Sequence, residues 1–156
     1  MAENGEQVDW LVRLKENIDG MLHSKNYARY AQILTPISAT EKTAVMEFKI
    51  PEELLNGKGT LHGGQTALLV DITTALCITL TVRDTPLVSV EIACSYLAPA
   101  VLDELVTAEV EILKLGRNIV FSEVTFRKKD RSIIAKGKHT LSKLNHLKTN
   151  GEFVKQ

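Results

Sequence analysis

Neither sign of charge is in excess in this 156-residue chain: 19 Lys and Arg stand against 19 Asp and Glu. Proteins that hold nucleic acid by its phosphates are usually strongly basic, so that class of function is disfavoured. Cysteine is scarce, with only Cys77 and Cys94, each inside an apolar segment. Two such thiols exclude a disulfide framework and read as reduced core residues of an intracellular protein. Long hydrophobic runs are missing too. The most apolar stretch, residues 67–82, is short for a membrane span and carries Asp71 and several threonines, so no membrane insertion is expected. The N-terminal stretch "MAENGEQVDWLVRLKENID" lacks the apolar core of a secretory signal and is too acidic for an ordinary mitochondrial transit peptide. A cytoplasmic protein is expected, with mitochondrial association left open. No internal repeat, low-complexity segment or second domain is visible.

What is present suits one domain with a real core: 44% of residues are hydrophobic and 24% charged. Val8, Leu11, Val12, Leu14, Ile18 and Leu22 recur at mostly helical spacing, which predicts an amphipathic helix ending near Gly20 or soon after. Residues 31–50 read as two short strands around the turn "SATEK", and Pro51 stops the second. From His62 or Gly63 a proline-free, nearly uncharged run predicts a helix of roughly 30 Å. It is apolar almost all round, so something must wrap it. After Pro86 the period changes to two. "LVSVEIACSYLAP" puts Val88, Val90, Ile92, Cys94 and Tyr96 on one face, with Leu87, Ser89, Glu91 and Ala93 on the other. Three further alternating segments follow, and the short links "PAVLD", "LGRN" and "KKDR" suggest a four-strand antiparallel meander. An α+β fold follows, with the sheet wrapped around the apolar helix.

The stretch "NGKGTLHGGQTALLVDITTALCITL" carries the chemistry. A helix start offers unsatisfied N–H donors at the positive end of the dipole. Glycine there lets a substrate approach the backbone. Asp71 is a lone acid among Leu68, Leu69, Val70 and Ile72, costly to bury without a task. An apolar setting strengthens a carboxylate as a base. Lys114, Arg117 and the run Arg127–Arg131 read by default as solvated turns, and His139, Cys77 and Cys94 as core residues.

Taken together, Asn56, the "GTLHGG" block, Asp71, "VSV" at 88–90, "Y-x-x-PA" at 96–100 and "GKHT" at 137–140 resemble the hotdog-fold acyl-coenzyme A thioesterases. The pattern is most similar to the thioesterase superfamily member 2 (acyl-coenzyme A thioesterase 13) group, with bacterial phenylacetate-pathway thioesterases as more distant relatives. It runs from about Tyr30 to Leu144. The resemblance implies a hotdog domain over residues 30–144, an N-terminal helical segment over 1–29 and a polar, frayed tail over 145–156. It implies that Asn56 and the Gly63 N–H bind the thioester carbonyl, that His62 orients Asn56, and that Asp71 is the base for water or itself the nucleophile, with Ser89 holding the water. Gly64, Glu91, Tyr96, Pro99, Lys114, Gly116, Arg117 and Asn118 would contact substrate or coenzyme A. No metal or separate cofactor is expected, since coenzyme A is part of the substrate. A homodimer at minimum is implied, commonly paired into a homotetramer. One departure is the loop "PEELL", more apolar than the pattern leads one to expect.

Two other readings compete. An acyl-thioester dehydratase or hydratase would want a histidine poised at the substrate α-carbon, whereas the motif histidine sits at the helix entrance. A non-enzymatic acyl-coenzyme A sensor should lack the acid that this chain keeps. Geometry adds a demand: Gly64 and Asp71 lie on one helix face but roughly 10 Å apart along the axis. One carbonyl group cannot meet both, so a site shared between two antiparallel helices is expected.

Overall fold

The computed structural model describes residues 8–147. Helix α1 spans Trp10–Leu22, and Asp9 caps it by accepting the Val12 N–H. It ends two residues past Gly20, within the expected span, with Leu14 and Ile18 buried on one stripe. A 3-10 segment, Tyr27–Ile33, follows, and its last three residues take the place of the start of the expected strand region. Strands β1, Thr35–Ala39, and β2, Thr43–Lys49, form the expected hairpin. Helix α2 spans Gly63–Ile78, then come β3, Leu87–Tyr96, β4, Leu105–Leu115, β5, Ile119–Lys128, and β6, Ile133–Lys143. The fraying expected of the tail falls mostly on residues outside those described.

The six strands make one antiparallel sheet in the order β1-β2-β4-β5-β6-β3. The four-strand meander is therefore wrong for β3. It pairs with β6 at the far edge, and the "PAVLD" link is a crossover to β4 rather than a hairpin. Only β4, β5 and β6 meander. Alternation within a segment shows that it is a strand, but not which neighbour it takes.

The sheet curls around α2. Met46, Phe48, Val106, Ala108, Val110, Val124 and Phe126 point inward, and Leu69, Val70, Ile72, Leu76 and Ile78 meet them from the helix. Phe48 and Phe126 stack edge to face at 6.4 Å. Gly137 on β6 faces Val70, and its missing side chain lets helix and sheet approach. The helix is 16 residues long, shorter than foreseen. Its end is held by α1, where Arg13 Nη1 donates to the Leu80 carbonyl and Asn17 donates to Thr79. The buried threonines of α2 cause no penalty: Thr73 donates to Leu69 O, and Thr74 Oγ1 lies 2.7 Å from Val70 O. Leu54 of "PEELL" is buried, which accounts for that loop's apolar character. Among the described residues no helix is long and apolar enough to cross a membrane.

The wrapping is incomplete. Ala67, Leu68, Asp71 and Ala75 form a half-exposed stripe on α2. Beside it, β3 is a free sheet edge with Val88, Val90 and Ile92 exposed at 43%, 60% and 38%. A long apolar edge of this kind is a template for another strand.

Candidate active site

The helix entrance is built by a closed loop. Asn56 Oδ1 accepts the N–H of Lys58 at 2.8 Å and of Thr60 at 3.3 Å, and Nδ2 donates to Thr60 Oγ1 at 2.9 Å. Gly59 takes φ +74°, a left-handed turn that favours glycine. The carbonyl end of the Asn56 amide is thus occupied, and one Nδ2 hydrogen stays available. His62 does not orient Asn56, contrary to the expectation. Its Nδ1 accepts the Gly64 N–H at 2.9 Å and caps the helix. Thr60 does the orienting instead, because the loop brings it back onto Asn56. With Gly64 satisfied, the N–H groups of Gly63 and Gln65 are the first-turn donors left without an acceptor among the described residues, and Gly63 lines the cavity at this entrance. Tyr96 Oη donates to the Gly63 carbonyl at 3.0 Å and fixes this end. A cavity of about 360 Å³ opens here, lined by Gly63, Thr66, Tyr96 and Pro99 among others.

The acid lies elsewhere. Asp71 is eight residues beyond Gly63, about 12 Å along the helix axis. Its side chain is 26% exposed and lines a second groove of about 310 Å³ with Ser89. Ser89 Oγ is 3.4 Å from Asp71 Oδ1 and 2.9 Å from His139 Nε2, while His139 Nδ1 is 2.6 Å from Thr74 Oγ1. A carboxylate only accepts, so one tautomer of His139 runs the chain toward Asp71. In that tautomer Ser89 donates to Asp71, His139 Nε2–H donates to Ser89, and Thr74 donates to Nδ1. In the other tautomer Thr74 donates to Val70 O and accepts from Nδ1–H, and Ser89 donates to Nε2. His139 is 1% exposed, and burial pushes its pKa below the usual 6.5, with Asp71 opposing the shift. The neutral ring wins, so its 3.6 Å approach to Asp71 is a dipolar contact rather than an ion pair.

His139 was read from sequence as a core residue, and its link to the acid was missed. The signal was the "GKHT" block itself, on an inward strand position. Ser89 was expected on the face opposite the apolar one. A β-bulge between Ser89 and Glu91 resets the alternation, so Ser89 pairs with Leu141 and Ile92 with His139, and both turn toward the helix. Glu91 pairs with Thr140 on the outer face and lines neither cavity.

Lys114 lies near the end of β4, paired with Phe121, and Gly116, Arg117 and Asn118 make the β4–β5 turn. Gly116 is tight, since a Cβ there would lie 2.6 Å from the Ile119 carbonyl. Asn118 Oδ1 accepts from Asn145 Nδ2, just beyond β6. Through the register Ile119–Ser142–Val88, this turn sits at the Leu87 end of β3. Tyr96 and Pro99 are at the other end, about 26 Å away along the strand. One chain therefore does not bring the two expected coenzyme A groups together. Arg127 and Arg131 both reach Glu109 at 2.7 Å. Burial would raise the Glu109 pKa, but these two hydrogen bonds hold it below the usual range. Burial pushes the Cys77 thiol up to about 12 and raises Cys94 as well, so neither is an activated nucleophile.

The model of the thioesterase superfamily matches residues 58–135, half of the chain, from the loop before the helix to β6. Human acyl-coenzyme A thioesterase 13 is 37% identical over 128 residues, covering 81% of this chain and 91% of that protein. This chain belongs to the thioesterase superfamily. The solved structure of zebra fish thioesterase superfamily member 2 superposes on this thioesterase with a TM-score of 0.80 at 33% identity, over 85% of this chain and 96% of that one. The mouse structure gives 0.79 at 31%, over 87% and 98%. The PaaI protein of E. coli, at 18% identity and a TM-score of 0.73, shares the fold. The hotdog arrangement expected from the sequence is thus the fold of this thioesterase.

Proposed function

We propose that this thioesterase hydrolyses acyl-coenzyme A esters to free acid and coenzyme A, with each site shared between two copies of the chain. The observation that carries the mechanism is Asp71 in an open groove, with Oδ1 held by the Ser89–His139–Thr74 relay. Asp71 takes a proton from water as the water oxygen bonds to the thioester carbon. The oxyanion accepts from the Gly63 N–H and the Asn56 amide of the other copy. Collapse breaks the carbon–sulfur bond, and the proton goes to the leaving thiolate. An oxyanion donor of this type is worth roughly 3–4 kcal/mol of barrier.

Two features support the shared site. Gly63 and Asp71 are too far apart in one chain for one carbonyl group. The uncovered β3 edge, paired antiparallel with its copy, would set each Tyr96 end against the other chain's Leu87 end. It would thereby join Tyr96 and Pro99 with Asp71, Lys114 and Arg117. A homodimer is the minimum unit, and pairing of dimers into a homotetramer is the assembly the reading favours.

The test is release of coenzyme A thiol from a series of acyl-coenzyme A esters by wild type and Asp71→Asn. The variant should fold normally and lose most of kcat, because Asp71 acts on the transition state. Turnover near the wild-type rate in Asp71→Asn would remove Asp71 from the role of base.

A further inference from the structure

The groove that starts at Asp71 runs along the open face of α2 through Ala75 to Thr79, two helical turns or about 12 Å. Leu87 and Leu141 wall it from the sheet, and Tyr27 lines it from the N-terminal 3-10 segment. The segment's place follows from α1, whose Arg13 and Asn17 bond to Leu80 and Thr79 at that end of the helix. Resting on the reaction proposed above, we propose that this groove holds the acyl chain and that Tyr27 is the stop that sets the chain lengths accepted.

Connectivity comes first. The thioester carbon must lie beside Asp71, so one of its two substituents enters this groove. The two candidates differ in chemistry. The arm of coenzyme A carries two amides, and each needs partners once out of water. The groove has little to give them. Thr79, the hydroxyl on its floor, donates to Leu76 O and accepts from Asn17, so it is already used. Ala75, Val82, Pro86, Leu87 and Leu141 offer only hydrocarbon. A methylene chain needs nothing more, and burying each methylene is favourable. Arg83 and Thr85 also line the groove, so its apolar room is finite. Tyr27 is 56% exposed and lines the groove. Its ring is therefore free to serve as a wall, and its removal costs the fold little.

The experiment measures kcat/KM for straight-chain acyl-coenzyme A esters, from acetyl to long chains, with wild type, Tyr27→Ala, Tyr27→Phe and Ala75→Leu. Tyr27→Ala should move the optimum to longer chains, raising the long-to-short ratio roughly tenfold. Tyr27→Phe should keep the wild-type profile. Ala75→Leu narrows the groove and should lower the long-to-short ratio. An unchanged profile in Tyr27→Ala would overturn the assignment. So would a KM raised by one factor for every ester in Ala75→Leu, which would place the coenzyme A arm in the groove. A wild type inert on the whole series would instead sink the reaction, and the acyl assignment with it.

Discussion

Replacing Gly137 with alanine would set a methyl carbon inside van der Waals contact with Val70 Cγ2, 2.7 Å from Cγ1 and 3.0 Å from Cβ. Carbon atoms pack at about 3.5–4.0 Å. Helix α2 or strand β6 must then give by on the order of 1 Å. Neither can tilt freely, because Val70 is fully buried and β6 is hydrogen-bonded on both sides. Overpacking of this kind costs about 1–3 kcal/mol. For a chain of this size that is a fall in Tm of roughly 3–10 °C. The displacement also reaches the site, since Val70 precedes Asp71 and Gly137 lies two residues before His139. Thermal melts and hydrolysis rates of Gly137→Ala should therefore fall together. Val70→Ala removes both offending methyl groups, so the double variant should be less damaged than the sum of its parts. A Gly137→Ala protein that melts like wild type, or a double variant whose losses simply add, would refute the close approach of helix and sheet.

Burial holds His139 neutral in the fold, whereas the unfolded chain takes up a proton near the ordinary value of 6.5. Below that pH the unfolded state binds more protons, so stability should fall as pH drops through 6.5 and level off below the folded pKa. Melts of wild type and His139→Gln between about pH 5 and pH 8 check this, and the variant should show a shallower acid limb. An equally steep limb in both would mean that His139 does not titrate as described. Lys114→Ala/Arg117→Ala should raise KM for acyl-coenzyme A with kcat unchanged, and added salt should mimic it in wild type. An unaltered KM would return both residues to the role of solvated turn.

Much of this arrangement can be read in the chain before any coordinates. "LHGG" ahead of an apolar run marks the helix entrance, and Asp71 stands out because nothing around it is polar. The strands are visible in their alternation. What stays hidden is non-local. The place of β3 at the sheet edge depends on a crossover that local periodicity does not encode. The bulge after Ser89 shifts one residue and reverses the face of a side chain at the site. His139 looks like core filler because its partner Asp71 is 68 positions away, and only the β3–β6 pairing and the packing of α2 bring them together. The capping role of His62, rather than a bond to Asn56, turns on loop geometry that residue types alone do not specify.

The shared site is the central claim, and subunit exchange tests it most directly. Asn56→Ala lacks an oxyanion donor and should lose about 10²-fold or more in kcat, as loss of such a donor does. Asp71→Asn lacks the base. Mixed under conditions that exchange subunits, the two would form heterodimers with one site carrying both lesions and one carrying neither. Activity should return toward that of one site per heterodimer, rising with the heterodimer fraction seen by native mass spectrometry. Demonstrated exchange with no recovery of hydrolysis would place Asn56 and Asp71 in the same chain's site and contradict the account.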